Sequence, residues 1–138
     1  MEKIILTPFE SPFSSEMLAL LHSRYQHGGT LAVMAYSRGD TYPDGEPVDG
    51  FLLEPYATVT VNLPHALFLQ DETHAFVDTN NHEDLCSWLV EQGIAAPTGI
   101  SVRSGYCSYP LMEFDLCRMN AMDSVPGKKL PGGLILVD

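Results

Sequence analysis

The segment Tyr56-Ala-Thr-Val-Thr-Val-Asn62 alternates polar with apolar residues and is rich in β-branched side chains. A period of two fits a strand with one face buried and the other in water. The register places Ala57, Val59 and Val61 inward. A sheet is therefore part of any fold this chain adopts.

The flanking segments extend that reading. Thr30-Leu-Ala-Val-Met-Ala-Tyr36 is an apolar run of strand length, bounded by Gly28-Gly29 and Ser37-Arg-Gly-Asp40, and it suits a central strand. His74-Ala-Phe-Val-Asp78 reads as a further short strand. Ile100 to Arg103 and Cys107 to Phe114 read as a hairpin or two neighbouring strands around Ser104-Gly105 after an Ala95 to Gly99 linker. Ile4 to Leu6 reads as a short strand closed by Pro8. Gly39 to Gly50 is so dense in Gly, Pro and Asp that a long exposed loop is expected.

Two helices are expected. In the first, Ser14 or Ser15 is the cap, Met17, Leu18, Leu21 and Tyr25 share one face, and Gly28-Gly29 is the stop. In the second, Asn80 or Asn81 caps, Glu83 and Asp84 suit the positive helix end, Leu85, Trp88 and Leu89 form the apolar stripe, and Gly93 closes it. Consecutive strands with short links favour an antiparallel sheet with helices on one face. The expectation is a single α+β domain over residues 1–138, with a mostly antiparallel sheet of about five strands and two helices packed on it. Its core spans about residues 3–116, and residues 117–138 form an edge strand through Leu134-Ile-Leu-Val137 or a loose tail.

Charge is the main functional signal. The chain carries a net charge of −11, yet no Lys or Arg lies between Arg38 and Arg103, an interval holding 11 of the 18 acids. The other seven acids balance the seven bases, so the whole net charge comes from the middle of the chain. Such a one-signed segment steers cationic partners, which makes Asp40, Asp44, Glu46, Asp49, Asp71 and Glu72 the candidate binding residues. Direct nucleic-acid binding is disfavoured, since Lys128-Lys129 is the lone basic pair. The run Met1 to Leu6 is too short for a signal segment, and no apolar stretch approaches the roughly 20 residues that cross a bilayer. Three cysteines without a CxxC pair suit reduced thiols in a cytoplasm.

Other chemistries leave weaker traces. Asp78, His82 and Cys86 are candidate metal ligands, but Glu83 stands where a calcium loop needs glycine, Leu89 stands where its bidentate glutamate belongs, and no second ligand pair completes a zinc set. Cys107 is the candidate nucleophile, with His65, His74 or His82 as its base. Against that, alternation with Tyr109 and Leu111 puts Cys107 on the core face of a strand as an inert buried thiol. No nucleophile elbow, phosphate-binding glycine loop or HExxH occurs. No cofactor is expected.

Glu54-Pro-Tyr-Ala-Thr-Val-Thr-Val-Asn-Leu-Pro64, Ala75-Phe-Val-Asp-Thr-Asn-Asn81, Pro97-Thr-Gly99 and Ser104-Gly-Tyr-Cys-Ser-Tyr-Pro-Leu111 with Phe114-Asp115 resemble, as a set, a family of uncharacterised domains common in gut Gram-positive bacteria and their conjugative elements. The resemblance implies a small accessory protein of mobile DNA, a class whose members often blunt host defence by presenting acidic surface where nucleic acid should sit. The expected function is thus a non-enzymatic binding protein, an anti-CRISPR or antirestriction factor that engages a basic, nucleic-acid-binding protein. The alternatives are a small Cys/His-dependent enzyme and a structural or regulatory homodimer.

Overall fold

The computed structural model describes residues 4–137. Its elements are β1 (Thr7–Glu10), β2 (Ser15–Arg24), β3 (Leu31–Thr41), β4 (Pro47–Thr58), β5 (Thr60–Val61), β6 (His74–Val77), α1 (Glu83–Glu91), β7 (Ala95–Ser104), β8 (Cys107–Phe114), β9 (Asn120–Ala121), β10 (Lys128–Lys129) and β11 (Ile135–Val137), with short 3-10 turns between some of them. Seven strands form a first sheet in the order β1-β2-β3-β4-β11-β10, with β9 lying parallel beside β2. Four form a second sheet in the order β5-β6-β8-β7.

Among the described residues, eleven strands in two sheets and one α-helix replace the expected five strands and two helices. The largest correction falls on the first expected helix, which is the strand β2, paired antiparallel with β3 from Leu18↔Ser37 to Arg24↔Leu31. Leu18 and Leu20 enter the core between the sheets, while Ala19 and Leu21 enter a second core on the opposite face. A strand buried on both faces loses its polar alternation, and the surviving apolar spacing imitates a helical stripe. Gly28 and Gly29, with φ of 91° and 65°, turn the β2–β3 hairpin instead of stopping a helix. A Cβ on Gly28 would also lie 2.6 Å from Leu67 Cδ2. Another expected strand moves as well: Ile4 and Leu6 pack against the second core as irregular chain, and pairing starts at Thr7.

The alternating segment Tyr56–Asn62 crosses between sheets. Its first residues end β4 and Thr60–Val61 form β5, while Val59 between them is fully buried. Val59 donates to the Val33 carbonyl at 3.0 Å and accepts from the Asp78 amide at 2.9 Å. One residue thereby ties the two sheets together through the backbone. Ala57 and Val59 meet Leu85, Trp88 and Leu89 of α1 in the core between the sheets, whereas Val61 joins a separate cluster with Phe76 and Leu111 on the outer face of the second sheet.

The second core lies on the far face of the first sheet. Ala19, Leu21, Tyr36 and Leu53 are covered there by Ile4, Leu6, Met122 and Val125, and Ile135 and Val137 complete it. The buried amide of Asn120 closes this side: it accepts from the Ile5 amide at 2.7 Å and donates to the carbonyls of Ile5 and Leu20. Beyond residue 116, then, the chain is neither a loose tail nor ended by an edge strand, because β11 is inserted between β4 and β10.

Candidate binding surface

β3 and β4 continue past both cores as a two-stranded arm. From Arg38 to Gly50 every residue is exposed or only partly covered. Past Gly39, which pairs with the fully buried Leu52, the register shifts and pairing resumes at Thr41↔Pro47. The stretch expected to be a long loop is therefore a paired hairpin whose tip occupies Tyr42 to Glu46. The Tyr42 amide donates to the Glu46 carbonyl at 2.7 Å, the Gly45 amide to the Tyr42 carbonyl at 2.9 Å, and the Glu46 amide to Asp44 Oδ1 at 3.0 Å. Gly45, at φ 93°, takes the left-handed position that this tip requires.

Asp40, Asp44, Glu46 and Asp49 all lie on the arm with exposed side chains. Arg38 is the arm's one base, and its Nε reaches Asp40 Oδ1 at 3.6 Å. Asp71 and Glu72 lie elsewhere. The Leu31 amide donates to the Asp71 carbonyl at 3.0 Å, so this pair sits at the start of β3 while the arm's tip lies beyond its end. Ten residue steps of strand separate the two ends by roughly 33 Å. The six acids accordingly form two groups.

The second group is already engaged. Asp71 Oδ1 accepts from the amides of Thr73 at 2.9 Å and His74 at 2.8 Å, and it meets His74 Nδ1 at 2.9 Å. Burial pushes the Asp71 carboxyl up, but these hydrogen bonds and the adjacent imidazole outweigh it and hold the group below its ordinary value. His74 Nε2 meets Glu113 Oε2 at 3.2 Å, which leaves the imidazole bracketed by carboxylates. Glu113 had no signal in the sequence, because its place follows from the β6–β8 register that puts His74 opposite it. Glu72 pairs with Arg24 at 3.3 Å.

The acidic junction before α1 is built from hydrogen bonds within the protein. Asp78 accepts from the Asn81 amide at 3.3 Å and from Asn81 Nδ2 at 2.8 Å, and Asn80 Nδ2 donates to the Ser108 carbonyl at 3.3 Å. Neither asparagine caps α1. His82 holds the cap position without a side-chain bond. Cys86 is buried, points its thiol at the Asp78 carbonyl, and is pushed up to about 12 by burial and the nearby Asp78 charge. Asp78, His82 and Cys86 do not converge, and among the described residues no three His, Cys, Asp or Glu side chains gather as a ligand set.

Cys107 is half-buried on β8, beside Tyr109. Ser104, the strand partner of Cys107, follows Arg103, and of the three histidines considered as the thiol's base His65 contacts that neighbouring residue. His65 Nε2 lies 3.3 Å from the Arg103 carbonyl, His74 lies between Asp71 and Glu113, and His82 lines a hollow with Phe9 and Tyr56. No helix among the described residues is long and apolar enough to cross a membrane.

The family model described as "Domain of unknown function (DUF4313)" matches residues 19–126 of the chain. No curated protein and no solved structure matches it.

Proposed function

We propose that this chain, which belongs to the DUF4313 family of domains of unknown function, is a binding protein whose acidic arm engages a basic surface on a protein partner. The observation that carries this reading is the arm's exposure: Thr41 still pairs with Pro47 although no residue from Asp40 to Gly50 is buried. An unsupported two-stranded ribbon is marginal in water, so burial within this chain does not account for its persistence beyond Gly39. The arm holds four carboxylates against one guanidinium, and a fixed array of like charges raises the encounter rate with an oppositely charged surface.

A nucleic-acid-binding protein is the partner class that fits this charge pattern best. Its basic groove is arranged for phosphates, and the carboxylates of a narrow ribbon present charge of the same sign. An anti-defence factor encoded on a mobile element, of the anti-CRISPR or antirestriction kind, would act in this way by occupying the groove of a host nuclease. The test begins with affinity capture from a host with active defence systems. Association rates of the captured partner are then measured against ionic strength for the wild type and for the Asp40→Asn, Asp44→Asn, Glu46→Gln, Asp49→Asn quadruple variant. The variant is expected to associate more slowly at low salt and to converge with the wild type above about 1 M, where the Debye length is about 3 Å. Duplex DNA should compete with the chain for the partner. Equal rates and equal salt slopes would remove the arm from the reading, and simultaneous binding of DNA and chain would remove the nucleic-acid mimicry.

A further inference from the structure

On the side of the molecule that carries α1, the helix and the second sheet leave a cleft of about 680 Å³ between them. Val90 of α1 is its exposed apolar wall, and Cys86 of α1 and Met112 of β8, both almost fully buried, form its floor. Glu83 stands at one end of the helix wall and Glu91 at the other, with Ser87 between them. At 100° per residue, Cys86, Val90, Glu83, Ser87 and Glu91 fall within one arc of about 140°, so a single helix face presents both carboxylates and the apolar strip. Eight residues separate the carboxylates, about 12 Å along the axis. Neither takes part in an ion pair among the described residues.

We infer that this cleft binds a linear aliphatic diamine or polyamine, with its methylene chain along Val90 and Met112 and a terminal ammonium at each of Glu83 and Glu91. Charge and length choose the occupant. Two carboxylates without ion-pair partners at opposite ends of an apolar strip attract a cation and repel an anion. An extended diamine with eight methylenes spans about 11 Å between nitrogens from standard bond lengths, close to the axial separation of the two glutamates. A shorter diamine reaches one of them. The apolar wall then distinguishes alkyl ammonium from inorganic cations, because each methylene taken out of water contributes up to about 0.8 kcal/mol. The site is separate from the arm, so the inference stands or falls without the proposed function.

The experiment is titration calorimetry of the full chain with 1,8-diaminooctane, spermidine and putrescine at low ionic strength, with methyl and amide chemical shifts recorded in parallel. Diaminooctane and spermidine are expected to bind, with putrescine at least about tenfold weaker because it forgoes one ion pair and much of the methylene contact. Shifts should concentrate on Ser87, Val90 and Met112. Glu83→Gln and Glu91→Gln, both at exposed positions, should each weaken diaminooctane about fivefold and bring its affinity toward that of putrescine. The quadruple arm variant should bind the diamines as the wild type does. Equal affinity for long and short diamines, loss of binding in the arm variant, or shifts centred on the arm would each overturn the site and identify a diffuse counterion atmosphere instead. A lysine-rich peptide that shifts the same cleft residues and displaces diaminooctane at lower concentration would overturn the small-molecule assignment.

Discussion

Trp88 shows what a single side chain contributes to this fold. It is 6% exposed, meets Phe9 edge-to-face at 5.4 Å between ring centroids, and donates its indole N–H to the Pro8 carbonyl at 2.8 Å. Through those contacts α1 holds β1, eighty positions away in sequence. Trp88→Ala is expected to cost about 3 to 5 kcal/mol, read as a drop in the urea midpoint. An unchanged midpoint would mean that the indole is not anchored. Asp71 gives a pH-dependent counterpart. Its folded-state carboxyl lies below the ordinary 3.8; the stability it contributes is therefore complete above that pH and is lost as the pH falls through the lower folded value. Asp71→Asn keeps an acceptor for the loop amides but cannot ionise. The variant should be less stable than the wild type at pH 6 and should converge with it near pH 2, checked by urea midpoints across that range. A constant gap would assign the effect to hydrogen bonding alone.

At the scale of elements, legibility tracked how the apolar residues are spaced. β6 and β8 were readable as short apolar runs, and α1 was readable because Leu85, Trp88 and Leu89 make a stripe on one side. β2 was not, because its two buried faces erased the alternation and left Met17, Leu18, Leu21 and Tyr25 at helical spacing behind Ser14-Ser15. The arm was hidden for a different reason: a hairpin tip needs only five residues here, but the Gly, Pro and Asp along Gly39 to Gly50 mark the whole stretch as turn. That its four acids lie together was legible because they are neighbours in the chain. The distance of Asp71 and Glu72 from them was not, since it is set by the length of β3. The β10–β11 ribbon offers a test at this scale. A Cβ on Gly127 would lie 2.7 Å from the Leu136 carbonyl oxygen and 2.9 Å from Ile135 Cγ2, and one of those atoms is backbone. Gly127→Ala should force the ribbon apart at a cost of about 1 to 3 kcal/mol, seen as faster amide exchange at Ile135 to Val137. Wild-type exchange rates there would show that the chain relieves the contact without moving the strand.

Across the whole molecule, the first sheet is closed by segments far apart in sequence. The family match ends at residue 126, yet β11, beyond it, pairs Ile135↔Leu53, Leu136↔Leu52 and Val137↔Phe51. A chain cut after Pro126 keeps every matched residue but loses the strand that covers β4. Removing Ile135 and Val137 takes two buried aliphatic side chains from the second core, each worth about 1.5 to 3 kcal/mol, and leaves Leu53 and Tyr36 open to water on that face. Against a total stability of roughly 5 to 15 kcal/mol for a domain, a loss of that size leaves a large unfolded fraction. The bared stretch of β4 also presents unpaired backbone groups beside apolar side chains, the arrangement that promotes strand addition between molecules. Residues 1–126 alone should therefore melt well below the full chain and elute as oligomers in size-exclusion chromatography, while adding back residues 127–138 as a separate peptide should raise the melting temperature. A truncated chain that stays monomeric with an unchanged melting temperature would show that the second core closes without β11, leaving the N-terminal segment held by Asn120 to cover that face of the sheet.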